Sequence, residues 1–337
     1  MWLNYWDNWP TREIFAHPDY VSLFLGCGDR AMCAVFDSTQ GQVIFPFVLR
    51  SLRSLDWSTG SEDAYDLTGP YGYGGAYAIG NPDSDLFWIK FDEWAKKNNI
   101  VSIFTRLSLF PDQLIPFRGN IEIKSQNIIR TLDLKPDEMW MDYAHKVRKN
   151  VKKARRNGLE VQIDLDGLHL QEFLGIYYST MERRNAAGCY YFPEEFFQNI
   201  VRDFVGQFAF FHVLHEDEIV STELVLVSAN YLYSFLGGTL SEVYPLRPND
   251  LLKHEIIEWG REQGKRAFVL GGGYEEGDGI FRYKQSFAPH GVVPFKVGKR
   301  IYDSRIYEKL IEQRLQWEKN QGRDWKPRPD FFPAYRS

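Results

Sequence analysis

The sequence has few cysteines and no long hydrophobic run. Its three cysteines, Cys27, Cys33 and Cys189, are too few for a disulfide framework and do not have zinc-ligand spacing. A reducing compartment suits such a chain. No uninterrupted apolar run reaches the ~18 residues of a membrane span, and the start MWLNYWDNWP lacks the basic and apolar regions of a signal peptide. We therefore predict a cytoplasmic protein with no integral membrane segment.

Positive charge is in deficit over the whole chain. The 337 residues include 40 Lys and Arg against 45 Asp and Glu, a net charge of −5, which excludes a generic polyanion binder. With 44% hydrophobic and 25% charged residues, the composition is that of a globular protein. The seven histidines have no metal-ligand spacing and no Ser/His/Asp motif is evident, so we expect neither a metal site nor a classical triad.

The same order of predicted elements occurs twice. The first half contains a hairpin turning at 37–41, the glycine-rich loop GPYGYGG, a helix near 84–98 and the strand VSIFTRLSLF. The second half contains a hairpin turning at 216–218, the strand YLYSFLGGTL, a helix near 249–263 and the strand RAFVLGGG. This pattern predicts an α/β fold of two mixed domains with largely antiparallel sheets.

We place the domain boundary ahead of the segment WMDYAHKVRKNVKKARRNG. The prediction is an N-terminal domain over 1–139, on which 304–337 packs, and a C-terminal catalytic domain over 140–303. Apolar residues of the boundary segment recur at helical spacing from Trp140 to Ala154, which predicts one helix that ends at Gly158.

This helix carries seven cations and no acid over residues 143–158. Clustered Lys and Arg neutralise phosphates, so one interpretation is that the helix binds an RNA backbone or a diphosphate. The other is a solvated face whose late cations suit the negative end of the helix. Both interpretations remain open on the sequence alone.

Two other cationic residues, Arg184 and Lys284, lie at positions that belong to the apolar face of a predicted helix. In LQEFLGIYYSTMERR the spacing puts Arg184, and not Arg183, on the core-directed face, where it needs an internal carboxylate or a ligand phosphate as partner. In GIFRYKQSF, Lys284 lies at helical spacing from Ile280 and Phe287. Its stem either carries the ammonium out to water or presents it to a cleft, where it would stabilise a developing oxyanion.

Three further motifs receive structural interpretations. GPYGYGG contains Tyr71 and Tyr73, which either bind a ligand or pack in a rigid turn. GGGYEEGDG lacks the Gly-Lys-Ser/Thr ending of a phosphate loop and predicts a turn. HEDE at 215–218 falls in the predicted hairpin turn, so we expect solvated side chains there and no metal.

Five segments, taken in order, resemble the Fem-type peptidyltransferases: KVRKNVKKARRNGLEV, TMERRNA, YPLRPNDLLKHEIIEWGREQG, AFVLGGG and GIFRYKQSF. The likeness covers roughly 140–300, and the first half adds its predicted topology and GPYGYGG. It implies tandem GNAT-like acyltransferase domains that transfer an amino acid from aminoacyl-tRNA to an amine, usually on a peptidoglycan precursor. The long coiled-coil arm of some relatives cannot be found in this sequence.

The resemblance also implies roles for single residues. Lys284, preceded by the aromatic Tyr283, corresponds to the lysine that stabilises the tetrahedral intermediate. Arg184 corresponds to the arginine that binds the diphosphate of the acceptor. Secondary substrate-binding candidates are Arg282, Tyr191, Tyr233, Asn249, Tyr71 and Tyr73. The RNA-binding candidates are Lys149, Lys152, Lys153 and Arg156.

The sequence departs from the family at two positions. A lysine that would be the second diphosphate ligand is not evident near HPDYVSLF, where Phe24 or its neighbours stand instead, and this argues against a UDP-linked acceptor. Pro248 removes an N–H donor where acetyl-CoA-using relatives have a pyrophosphate loop, and this argues against CoA.

We therefore expect an aminoacyltransferase that acts on an anionic, amine-bearing precursor of the cell wall or cell surface. Its co-substrate is aminoacyl-tRNA, and no separate cofactor is expected. One alternative is an N-acyltransferase that uses acyl-CoA or a carrier thioester and acts on an amino sugar or polysaccharide precursor. The other is a non-enzymatic module that binds glycan or RNA.

Overall fold

The computed structural model describes residues 1–58, 63–275 and 277–337, without the side chain of Cys189. The predicted turn GGGYEEGDG therefore lies partly outside the described residues. The chain folds into two compact units. The first unit comprises Met1–Trp9, Phe15–Lys124 and Phe295–Ser337, and the second comprises Pro10–Ile14 and Ser125–Pro294.

The first unit is built on a mixed sheet. Its strand order is β1-β2-β3-β5-β12, with β4 also paired to β2. Among the described strand pairs of this unit, only β3–β5 is parallel. The elements are α1 (Trp2–Asp7), α2 (Pro18–Ser22), β1 (Arg30–Asp37), β2 (Gly41–Ser51), β3 (Tyr65–Thr68), β4 (Tyr77–Gly80), α3 (Ser84–Lys97), β5 (Ile100–Arg106), most of β12 (Val292–Ile301) and α10 (Ser304–Asn320).

The C-terminal segment is anchored on this unit through a buried carboxylate. Asp66 has no exposed surface and forms ion pairs with Arg50 and Arg336. The hydroxyl of Tyr335, itself buried, donates a hydrogen bond to the same carboxylate at 3.0 Å. The backbone N–H of Ala334 donates to the hydroxyl oxygen of Tyr307 at 2.9 Å. The tail after α10 thus packs through polar contacts as well as through aromatic rings.

The second unit repeats the order of the first. Its strand order is β6-β11-β10-β9-β8-β7, and within the described residues of this unit only β10 and β11 are parallel. The elements are β6 (Asn120–Thr131), whose first residues belong to the first unit, α4 (Pro136–Asp142), α5 (His145–Arg156), β7 (Glu160–Asp164), α6 (Leu170–Arg183), α7 (Glu194–Asp203), β8 (Phe208–His215), β9 (Glu218–Val227), β10 (Tyr231–Thr239), α8 (Pro248–Glu262), β11 (Ala267–Gly271) and α9 (Gly279–Gln285).

The duplicated order predicted from the sequence is confirmed. Hairpin, strand, helix and parallel strand are β1-β2, β3, α3 and β5 in the first unit. They are β8-β9, β10, α8 and β11 in the second. The longest described helix is α10, with 17 residues, so the described part of the chain contains no long coiled-coil arm. None of the described helices combines the length and the apolar character needed to cross a membrane.

The prediction of one continuous basic helix is wrong. The helix breaks at Tyr143 and Ala144, whose ψ angles of 144° and 141° are extended, so that α4 and α5 are separate. Tertiary contacts account for the break. The N–H of Ala144 donates to the carbonyl of Ser286 at 2.9 Å, and the ring of Tyr143 packs on Phe287. The apolar face of α5 is buried as predicted, through Val147, Val151 and Ala154.

Candidate active site

A cavity of about 620 Å³ opens in the second unit where β10 leaves β11. The two strands pair only over Tyr231–Tyr233 of β10, and the register against β9 shifts between Ser234 and Leu236. Residues 234–239 line the cavity. Gly238 lets α6 approach β10, because a Cβ there would lie 2.6 Å from Thr180 Oγ1. The charged lining residues are Arg184, Glu223, Lys253, Asp278 and Lys284.

Lys284 lies on α9, which begins at the edge of this cavity. Asp278 caps the helix, because its carboxylate accepts hydrogen bonds from the N–H groups of Phe281 and Tyr274 at 2.6 and 2.7 Å. These backbone donors hold the pKa of Asp278 below its usual value. Lys284 Nζ donates to the carbonyl oxygen of Gly272 at 2.7 Å. The predicted lysine therefore lines a cavity with a fixed hydrogen bond.

The surroundings of Lys284 lower the pKa of its ammonium to about 8. Burial is the larger cause, since it penalises the charged form, and the positive charge of Lys253 adds to it. Glu223 and Asp278 act in the opposite direction. The amine is thus mostly protonated at neutral pH, in a place where little water screens its charge.

A buried ion pair in the cavity wall was missed by the sequence reasoning. Lys253 of α8 and Glu223 of β9 are 7% and 6% exposed and hydrogen-bond to each other. Lys253 also donates to Ser234 Oγ at 2.8 Å. A weaker signal was available, since Lys253 lies at helical spacing from the apolar residues Ile256 and Ile257.

Asn249 and Tyr283 tie α8 to α9 at the cavity. The hydroxyl of Tyr283 donates to the backbone carbonyl of Asn249 at 2.9 Å. The side-chain oxygen of Asn249 accepts hydrogen bonds from Ser221 and Thr239. Burial raises the pKa of Tyr283 well above its ordinary value, so its hydroxyl stays a donor. Both predicted residues line the cavity, and both are also engaged in holding its walls.

The predicted orientation of Arg184 is corrected. The helix ends at Arg183, and Arg184 is its exposed C-cap residue, followed by Asn185 at φ 47°. Arg184 is therefore not on a buried face, although it lines the cavity. Arg183 is exposed as well, and its guanidinium donates to the carbonyl of Thr239 and to the hydroxyl of Tyr244. The end of the helix before Arg184 explains why this side chain does not continue the apolar face.

Residues 142–285, which contain all these cavity residues, match the family model described as acetyltransferase (GNAT) domain. A curated relative from Weissella viridescens, UDP-N-acetylmuramoylpentapeptide-lysine N(6)-alanyltransferase, is 24% identical over 175 residues. That alignment covers 50% of this chain and 51% of the relative, so the match spans about half of each protein.

Solved structures of low sequence identity share the fold. The crystal structure of FemX is 13% identical, with a TM-score of 0.68 over 91% of this chain and 97% of that one. The structure of L-PGS from Bacillus licheniformis is 15% identical, with a TM-score of 0.50 over 86% and 90% of the two chains. The chain therefore has a GNAT-like fold that is similar to that of FemX.

A second cavity of about 550 Å³ adjoins the first through shared lining residues. Arg282 is exposed and lines this second cavity together with Lys146 and Arg247. Its guanidinium donates to the carbonyl of Gly277 at 2.6 Å. The structure therefore puts Arg282 beside, and not in, the cavity of Lys284.

Two predicted tyrosines of the second unit are not among the residues that line the described cavities. Tyr233 is 3% exposed, and its hydroxyl donates to Glu13 Oε2 at 2.8 Å. Tyr191 is 38% exposed and follows the short 3-10 helix Gly188–Tyr190. Tyr233 belongs to the part of β10 that pairs with β11, whereas the cavity is lined from Ser234 onward.

Tyr71 and Tyr73 belong to the first unit, in an aromatic cluster. The ring of Tyr73 packs edge-on against Phe15 and Phe295, with centroids 5.4 and 5.6 Å away. Tyr71 stacks on Phe24, with ring centroids 6.0 Å apart. Gly72 has φ +98°, and a Cβ there would collide with the Phe15 ring. The loop conformation thus depends on packed aromatic rings.

The cationic helix α5 presents most of its charge to solvent. Of the four RNA-binding candidates, Lys149, Lys152 and Arg156 are exposed and Lys153 is half-buried. Lys152 lies over the ring of Trp140, 5.9 Å from its centroid. The segment HEDE forms the turn between β8 and β9, with Glu216 and Asp217 at positive φ. Among the described residues, no three His, Cys, Asp or Glu side chains are grouped to hold a metal ion.

Proposed function

We propose that this protein transfers an aminoacyl group from an ester donor to the amine of a cell-wall or cell-surface precursor. The observation that carries the proposal is Lys284, an ammonium in the wall of a polar cavity, fixed by the Gly272 carbonyl. The GNAT-domain match and the Fem-type fold support an acyl transfer. The Weissella relative is named for a reaction of this kind, the transfer of alanine to a lysine N6.

In this reaction the acceptor nitrogen attacks the ester carbonyl carbon, and a C–N bond forms. The carbonyl oxygen becomes an oxyanion, which the ammonium of Lys284 stabilises in surroundings of low dielectric constant. Collapse of the intermediate breaks the bond to the alcohol oxygen of the donor, and the proton lost by nitrogen ends on that oxygen. Positioning two substrates in one cavity contributes the remaining acceleration.

Aminoacyl-tRNA is the proposed donor. The exposed cations of α5 lie in the same unit as the cavity, and Lys146 of that helix lines the adjoining cavity. Such cations attract an RNA backbone. Pro248 is the first residue of α8 and has no N–H to offer a CoA pyrophosphate. These two features favour a tRNA ester over an acyl thioester.

The proposed acceptor carries an anionic group close to its amine. Arg184 is exposed at the rim of the cavity and presents a guanidinium suited to a phosphate or carboxylate. The relative's name specifies a UDP-linked muramoyl-pentapeptide as its acceptor. Because Phe24 stands in this chain where a second diphosphate ligand is expected, we propose an acceptor of the same class without assigning the UDP group.

The test is to incubate the purified protein with a mixture of charged tRNAs and amine-bearing wall precursors, and to search for new amide products by mass spectrometry. The proposal predicts an amide whose formation stops when the tRNA is deacylated. Calorimetry with CoA and acetyl-CoA is the matched control. Amide formation from the thioester, with saturable CoA binding, would contradict the proposed donor, and binding without any product would contradict catalysis.

A further inference from the structure

Glu223 is the lining carboxylate whose hydrogen-bonding capacity is only partly used. Its Oε1 accepts from Lys253, whereas no described residue donates to Oε2. Asp278, the other lining carboxylate, uses both oxygens for backbone N–H groups of its own turn. Glu223 therefore keeps one acceptor atom for a group that enters the cavity.

The ammonium of Lys253 stabilises the buried carboxylate of Glu223 in the cavity wall. A carboxylate that is 6% exposed needs a compensating charge, and the Lys253 ammonium supplies it while donating also to Ser234. The pair bridges α8, β9 and β10, so its geometry is fixed by three elements. The free oxygen is thus held in place before a substrate arrives.

We propose that Glu223 accepts a hydrogen bond from the N–H of a substrate amine at Oε2. The inference rests on the amine acylation proposed above. The Glu223 carboxylate can accept an N–H from a substrate amine in either protonation state, and the attack on a carbonyl requires the neutral form. A neutral amine can donate an N–H to Glu223 and keep its lone pair directed at a carbonyl carbon.

Two amines can fill this position, the attacking amine of the acceptor and the α-amine of the aminoacyl donor. Two ligand pairs distinguish them in calorimetric titrations at pH 8.5. Nα-acetyl-lysine against Nα-acetyl-norleucine tests the acceptor. The stable analogue 3′-alanylamido-3′-deoxyadenosine against its propionyl counterpart tests the donor. Each pair differs by one amino group.

The titrations compare wild-type protein with Glu223→Met and with the double variant Glu223→Met/Lys253→Met. The double variant removes the whole ion pair, so no unpaired buried charge remains and folding is preserved. Glu258→Met is the matched control, since Glu258 lies on α8 outside the cavity and pairs with Arg261.

In one of the two pairs, the amine should bind wild-type protein and the control about tenfold more tightly than its counterpart. Both Glu223 variants should lose that preference. The pair that responds identifies which amine Glu223 holds. If neither pair shows an amine preference, or if the preference persists in both variants, the inference is wrong. Amide formation by wild-type protein in that case leaves the proposed function standing, whereas absence of any amide product contradicts that function itself.

Discussion

The ammonium of Lys284 donates a hydrogen bond of 2.7 Å to the carbonyl oxygen of Gly272, the residue that follows β11. This bond fixes the position of the nitrogen in the cavity wall. Its partner is a neutral carbonyl and not a carboxylate, so the positive charge is left uncompensated at that contact. The charge is therefore available to a substrate oxygen that becomes negative.

The pH dependence of turnover tests the protonation of Lys284. Because its pKa is lowered to about 8 and the ammonium is the stabilising form, the rise of kcat/KM that accompanies deprotonation of the acceptor amine should level off above about pH 8. In Lys284→Arg the guanidinium keeps its proton, so kcat/KM should continue to rise towards about pH 10 in whatever activity remains. A Lys284→Arg profile that levels off at the wild-type pH would assign that titration to another group.

The exposed face of α5 should carry the salt dependence of RNA binding. In the triple variant Lys149→Ala/Lys152→Ala/Arg156→Ala, the slope of log affinity against log salt for tRNA should fall by about 2, because three phosphate contacts are lost. The matched control is Lys90→Ala/Lys96→Ala/Lys97→Ala, which removes three exposed lysines of α3. Equal slopes for the two variants in fluorescence titrations would leave α5 as a solvated surface.

His212 should make the protein less stable in acid. It is fully buried, and burial lowers its pKa to about 4 from 6.5, so between these values the unfolded chain takes up a proton that the folded chain does not. The free energy of unfolding should therefore fall by about 2 kcal/mol for this residue between pH 7.5 and 5. His254 has a similar shift and adds its own share.

Urea unfolding at the two pH values is the measurement. The change in the free energy of unfolding between pH 7.5 and 5 identifies the residue, and the absolute free energy does not. A destabilised His212→Gln variant therefore remains informative. That variant should lose about half of the pH-dependent change. A wild-type change retained in full would place the titration elsewhere.

The anchor of the C-terminal segment should be worth several kcal/mol. Asp66→Asn leaves Arg50 and Arg336 without their buried partner, which should cost about 3–5 kcal/mol in the free energy of unfolding. Asp63→Asn is the control, because the exposed Asp63–Arg53 pair should contribute at most about 1 kcal/mol. Equal destabilisation of the two variants in thermal melts would contradict the role of the anchor.

The fold was predictable where local patterns repeat, and less so where tertiary contacts decide. The spacing around Lys284 indicated a helix with one lysine on its apolar face, and the two hairpins indicated the duplicated order of elements. The break at Tyr143 depends on contacts with residues distant in sequence, which spacing alone does not reveal. The Lys253–Glu223 pair joins a helix to a strand, so neither periodicity predicts the partnership.

Turnover by Lys284→Ala is the most direct test of the central claim. With an aminoacyl-tRNA and an amine acceptor that wild-type protein converts to an amide, single-turnover rates should fall about 10²–10³-fold, as when one oxyanion donor is removed. Melting temperature should stay close to that of wild type, and Lys319→Ala on the exposed face of α10 should keep full activity. A folded Lys284→Ala variant that forms amide at the wild-type rate would contradict the account.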